Sequence, residues 1–119
     1  LASPKLAPYG AAAIDVLTHL GLVKSLEAKF VQGENISQAF QFVSSGNAEL
    51  GFVALSQVYF NGSLKSGSAW IIPEKYYSSI RQDAVLLTSA KDKVAAQAFI
   101  SYLKTPKAKA VMTAYGYRF

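Results

Sequence analysis

The sequence contains no cysteine. That removes disulfides and thiolate metal centres, and it suits oxidising and reducing compartments alike. A single histidine, His19, excludes a multi-histidine metal site. His19 falls in the middle of a helical pattern, a poor place for the base of a Ser-His-Asp triad. No nucleophile–base pair or phosphate loop stands out elsewhere, so nothing in the residues points to an enzyme. No apolar run is long enough to cross a bilayer as a helix. The chain opens on Leu1 without a charged-then-apolar leader, so a processed or truncated product is expected. Arginine is scarce, with Arg81 and Arg118 alone, and no motif of a nucleic-acid module is visible.

What is present is apolar residue and lysine. Of 119 residues, 51% are hydrophobic, and the mean hydropathy is +0.20. That composition belongs to one globular domain with a real core. The net charge is +5, but the lysines are dispersed. Their densest group, Lys104 to Lys109, flanks a helix start and reads as a solvated face. Nucleic-acid binding is not expected; a soluble basic surface is.

Periodicity predicts an α/β order. Leu1 to Ala7 reads as extended, broken by Pro4 and Pro8. Gly10 opens a helix with Ala13, Val16, Leu17 and Leu20 on one face, and Gly21 stops it. Lys29 to Gln32 reads as a short strand. Ile36, Ala39, Phe40 and Val43 repeat the helical spacing, and Gly46 ends it. Glu49 to Leu55, "ELGFVAL", reads as a strand buried on both faces. Phe60 to Gly67 reads as a turn-rich loop, followed by strands at Ser68 to Pro73 and Asp83 to Ser89 with an irregular connector between them. Two helices close the chain. One presents Ala95, Ala98, Phe99 and Tyr102. The other is capped by Thr105 with Pro106 at its first position, and presents Ala108, Val111, Met112 and Tyr115. Strands alternating with helices imply crossover units and a parallel sheet.

Three corners in this order could hold a ligand. A helix start carries unpaired N–H groups and a partial positive charge, which suits an anion. At "GENI", Gly33 permits close backbone approach, Asn35 is a good cap for a helix beginning at Ile36, and Ser37 and Gln38 add neutral donors. At "APYGAAA", Pro8 and Tyr9 lead into Gly10 and three small alanines. "ALSQ", Ala54 to Gln57, follows the buried strand. In open α/β sheets ligands sit beyond the carboxyl ends of the strands, where such corners can converge. Spacing alone leaves open that each corner only caps its helix.

The stretches "LAPYGAAA", "VQGENISQAFQFVSSGNAELGFVALSQV", "IRQDAVLL" and "YLKTPKAKAVMTAYGYRF" resemble the periplasmic molybdate-binding proteins, the solute receptors of molybdate ABC transporters. The resemblance runs from end to end, but to the C-terminal half of a longer family chain. It implies a type II periplasmic binding protein fold: two α/β lobes joined by crossing strands, with the oxyanion in the cleft. Residues 1–80 would belong to the second lobe, and residues 81–119 would cross back to the first. The family's second-lobe donors fall on the backbone N–H groups of Tyr9 and Ile36, supported by Gly10, Asn35, Ser37 and Ala54. Some members add a tyrosine hydroxyl where this sequence has Ala54, so that contact is lacking.

The resemblance implies a molybdate or tungstate ligand bound as an oxyanion rather than as a metal cation, and no cofactor. It also implies a membrane permease as partner and a periplasmic location. A receptor for sulfate or another oxyanion, and the sensor domain of a transcription regulator, are the alternatives. The N-terminal half of the family chain is missing from the sequence. For the 119 residues alone, a homodimer formed by exchanging the segment after Ile80 is expected.

Overall fold

The computed structural model describes residues 1–90 and 92–119. Helix α1 spans Pro8–His19. It begins two residues earlier than the sequence suggests, because Pro8 occupies the first helical position, where a missing N–H leaves nothing unsatisfied. Ala12, Ala13, Val16 and Leu17 form its buried face, while Leu20 lies beyond the helix end and is exposed. A short helix α2, Val23–Leu26, and a 3-10 turn, Glu27–Lys29, follow directly. Helix α3 spans Ile36–Ser44 with Asn35 as cap, and Ala39 is its buried residue. Gly21 and Gly46 take the positive φ expected of helix terminators.

The strand expectations need correction. Lys29 belongs to the 3-10 turn, and the pairing nearby is confined to a parallel bridge between Ala2 and Gly33. Three backbone bonds tie these two stretches: Leu1 N–H to the Val31 carbonyl, Gly33 N–H to the Leu1 carbonyl, and Ser3 N–H to the Gly33 carbonyl. Residues 49–54, 68–73 and 83–89 enter no strand ladder, and Leu55 starts helix α4, Leu55–Val58. A strand is defined by its neighbour, and these apolar runs have no ladder partner among the described residues.

The sheet that is present is a hairpin missed in the sequence: β1, Tyr59–Phe60, pairs antiparallel with β2, Ser63–Leu64. Its turn is Asn61-Gly62, both at positive φ (47° and 86°). That is the residue pair a two-residue hairpin turn prefers. Helix α5 spans Lys93–Leu103, capped by Asp92, and helix α6 spans Pro106–Ala114, capped by the Thr105 hydroxyl. Tyr115, placed by the sequence on the last helical face, is the residue that ends α6, and its ring lies 5.0 Å from that of Phe60. Asn61 N–H donates to the Ala114 carbonyl, which fixes α6 to the hairpin.

Among the described residues the buried apolar ones are few and mostly alanine: Ala2, Ala12, Ala13, Val16, Leu17, Ala39, Ala54 and Ala108. The radius of gyration, 16.7 Å, exceeds the roughly 13.5 Å expected of a compact chain this long. Ala95, Ala98, Phe99 and Tyr102 of α5 face solvent. The residues of α5 that are partly covered are Ala96, Ile100 and Leu103. The helical period is right, but the covered side is a different one.

Candidate anion-binding site

The corner at "GENI" is built from a close approach and a set of caps. A Cβ on Gly33 would stand 2.8 Å from Gln38 Cβ and 3.0 Å from the Ala39 nitrogen, so only glycine lets the chain press on the first turn of α3. The Asn35 Oδ1 accepts from the N–H groups of Ser37 and Gln38, both at 3.0 Å. In return, the Gln38 Oε1 accepts from Glu34 N–H at 2.8 Å. These bonds use the amide of Ser37, leaving its exposed hydroxyl as the group it could still offer. The Glu34 carboxylate is exposed and makes no hydrogen bond among the described residues. Ile36 stands at the first helical position, half-buried, and its N–H has no acceptor among the described residues.

The corner at "APYG" follows the same logic. Gly10 is buried, and a Cβ there would stand 2.3 Å from the Ala2 carbonyl oxygen and 2.6 Å from that of Ser3. The first residues of the chain therefore lie directly on the start of α1. Ala7 is the cap and offers no side-chain acceptor. Tyr9, at the second helical position, has an N–H without an acceptor among the described residues. Its phenol oxygen accepts a hydrogen bond from Gln82 Nε2. Burial, with Tyr117 nearby, pushes that phenol above its usual range, and the bond from Gln82 partly offsets this.

The two corners share one stretch of backbone. Ala2 and Ser3 are the surface on which Gly10 rests, and Ala2 forms the bridge to Gly33. Neither helix has an acidic residue in its first turn, so each positive end is left without a carboxylate of its own. The structure thus ties the corners of Tyr9 and Ile36 to the same short segment, each with an amide that has no acceptor among the described residues.

Ala54 is buried and caps α4, but its N–H is already used, donating to Gln57 Oε1 at 2.9 Å. Its amide is therefore not a free donor. The other end of the same side chain, Gln57 Nε2, donates to the Ile36 carbonyl at 3.4 Å. Sequence reasoning placed Gln57 at the third corner without a role; its position three residues after a cap was the available signal. Two hollows of about 220 Å³ each are lined by neither Tyr9 nor Ile36. One is at the far end of α1, beside Thr18 and Gly21. The other lies between α4 and the C-terminus, beside Leu55, Ile71 and Tyr117.

Residues 1–118 match the model of the bacterial extracellular solute-binding proteins. The chain belongs to that family. Its members are solute-binding proteins rather than enzymes. It is 60% identical over 117 residues to the molybdate-binding protein ModA of Azotobacter vinelandii, an alignment that covers 98% of this chain and 46% of that protein. It is 49% identical to the molybdate-binding protein ModA of Rhodobacter capsulatus over the same length, covering 45% of it. A solved structure of the periplasmic molybdate-binding protein of Azotobacter vinelandii superposes with a TM-score of 0.93 at 42% identity, covering all of this chain and 52% of that one. The fold is therefore that of a type II periplasmic binding protein, and the chain spans about half the length of the relatives it matches.

Proposed function

We propose that this chain forms the second-lobe wall, residues 1–80, and the return to the first lobe, residues 81–119, of a periplasmic receptor that delivers molybdate to an ABC importer. The observation that carries the reading is the pair of acceptor-free amides, Tyr9 and Ile36, at two helix starts tied to the same segment. Molybdate is a tetrahedral dianion. Fixed neutral donors at helix starts can hold it without a lysine or arginine, because oriented peptide dipoles need no rearrangement on binding. Gly10, Asn35, Ser37 and Ala54 support those donors. Tungstate has nearly the same size and charge and binds the same way. Sulfate is smaller, and the cleft holds it less well. The remaining donors come from the opposite lobe, as two-lobed receptors close on their solute. A membrane permease is the downstream partner.

The test is titration calorimetry on the full-length receptor. Molybdate and tungstate are expected to bind tightly and sulfate much more weakly; equal affinity for sulfate refutes the specificity. Ile36→Pro isolates the proposed donor. The first helical position tolerates proline, and Asn35 before it is already extended (φ −143°, ψ 173°). The substitution therefore removes the N–H without breaking a helical bond, and Ile36→Ala controls for the loss of the half-buried side chain. A hydrogen bond to a charged group is worth about 1.5–3 kcal/mol, so affinity should fall about 10- to 100-fold. Ile36→Ala keeps the amide and should change little. Full affinity in Ile36→Pro would show that this helix start lies outside the site.

A further inference from the structure

We propose that Gln57 is a positioning residue for the anion site, locking the start of α3 to the buried Ala54 corner; this rests on the reading of Ile36 given above. Both ends of its amide are in use: Oε1 accepts from Ala54 N–H and Nε2 donates to the Ile36 carbonyl. The orientation of the amide is fixed by its partners, since an N–H can only donate and a carbonyl can only accept. Reversing it would set two donors face to face at Ala54.

The Ile36 carbonyl belongs to the peptide group that leaves the first residue of α3. Holding it sets the backbone rotation of Ile36 and so the direction of the Ile36 N–H. The anchor at the other end is firm, because Ala54 is 5% exposed while α3 itself buries only Ala39. Asn35 secures the helix start from within its own segment, and Gln57 secures it from 21 residues away. Receptors of this kind depend on preformed donors, so a loosened helix start should raise the dissociation rate.

The test compares Gln57→Glu and Gln57→Leu in the full-length receptor. The glutamate side chain is nearly isosteric with glutamine and keeps an acceptor for Ala54 N–H, but at neutral pH it has no donor for the Ile36 carbonyl. Molybdate affinity in Gln57→Glu is expected to fall about tenfold, mainly through faster dissociation. In the unliganded protein, the Ile36 carbonyl-carbon and Ser37 amide resonances, which report the contacted peptide group, should shift. Gln57→Leu should show the same losses together with a disturbed Ala54 amide. If Gln57→Leu does not fold, Gln57→Glu carries the decision. Wild-type affinity with unshifted resonances in Gln57→Glu overturns the proposal. If the unsubstituted receptor does not bind molybdate, the functional reading fails, and the resonance shifts in the unliganded variants still decide whether Gln57 sets this backbone.

Discussion

Helices α1 and α5 have similar lengths, twelve and eleven residues, and both are rich in alanine and larger apolar side chains. Yet α1 buries Gly10, Ala12, Ala13, Val16 and Leu17, and α5 buries nothing. The difference lies in what each can reach. Gly10 lets α1 take the first residues of the chain against its backbone, and the Asp15 carboxylate accepts from Ser78 N–H on its other side. Helix α5 packs on α6 and leaves Val94, Phe99 and Tyr102 in solvent. The stretch before it behaves alike, with Val85 78% and Leu87 64% exposed. Composition alone does not make a core; a face needs a partner within reach. The chain exposes 8909 Å² in all, about 2,600 Å² more than the roughly 6,300 Å² expected of a monomer of this mass. That excess is larger than one side of an ordinary protein interface, about 800 Å². An excess of that size is the basis for proposing a whole lobe, rather than a small contact, as the cover.

The comparison breaks first at Gly10. A Val side chain there would drive Cβ into backbone carbonyls that cannot swing aside. Gly10→Val is expected to destabilise the full-length receptor by about 3 kcal/mol or more, the range of severe overpacking. The matching change on α5, Ala98→Val, should cost no more than its helix-propensity difference, about 0.7 kcal/mol, in the isolated 119 residues at dilution that keeps them monomeric, where that position is exposed. Urea unfolding of both variants in both contexts checks this. A large loss for Ala98→Val in the full-length receptor alone would identify the opposite lobe as the cover of α5.

The exposed face offers a second way to sharpen the contrast. Uncovered apolar surface and unpaired strand edges associate. The isolated 119 residues are expected to form a dimer by light scattering, with the segment after Ile80 exchanged, and to bind molybdate weakly or not at all. Leu87→Lys with Phe99→Lys should weaken that dimer at least tenfold and leave the α1 region folded. A stable monomer that still binds molybdate tightly would show that the opposite lobe is dispensable.

Much of the helical framework was legible in the sequence because its determinants are local. Asn35 caps α3, Thr105 caps α6, and Gly21 and Gly46 stop their helices, all through bonds or angles within a few residues. The Asn61-Gly62 hairpin was equally local and was missed because its strands are only two residues long. The strands at 49–55, 68–73 and 83–89 were read from apolar runs, and such runs show that a segment wants a neighbour without showing where the neighbour is. At the corners, Gly10, Gly33 and Asn35 were visible as turn and cap chemistry, whereas the donor roles proposed for Tyr9 and Ile36 came from the family resemblance. The Gln57 link was not visible, because a contact across 21 residues has no periodic signature.

The smallest expected effect lies where the two regions touch. The phenol of Tyr9, on α1, accepts from Gln82 in the segment leading to α5, and Tyr117 stands close enough to influence its ionisation. Burial, and then Tyr117, raise its pKa above the ordinary 10.0. The folded state therefore holds its proton more tightly than the unfolded state does. Above the ordinary tyrosine range the folded protein binds more protons, so stability must fall as pH rises from there through the folded-state pKa. The phenol favours the fold below that window, and this contribution is lost above it. Tyr9→Phe cannot ionise, so its stability should decline less steeply over that alkaline window than the wild type's, followed by urea unfolding at a series of pH values. At neutral pH the variant loses one partly exposed hydrogen bond, about 1 kcal/mol or less. Its main-chain N–H is untouched, so molybdate affinity of the full-length receptor should stay within about twofold at neutral pH, a change of about 0.4 kcal/mol. A large drop in affinity would mean that the Tyr9–Gln82 contact helps set the cleft, so that the returning segment would be part of the site's framework rather than a neighbour of it.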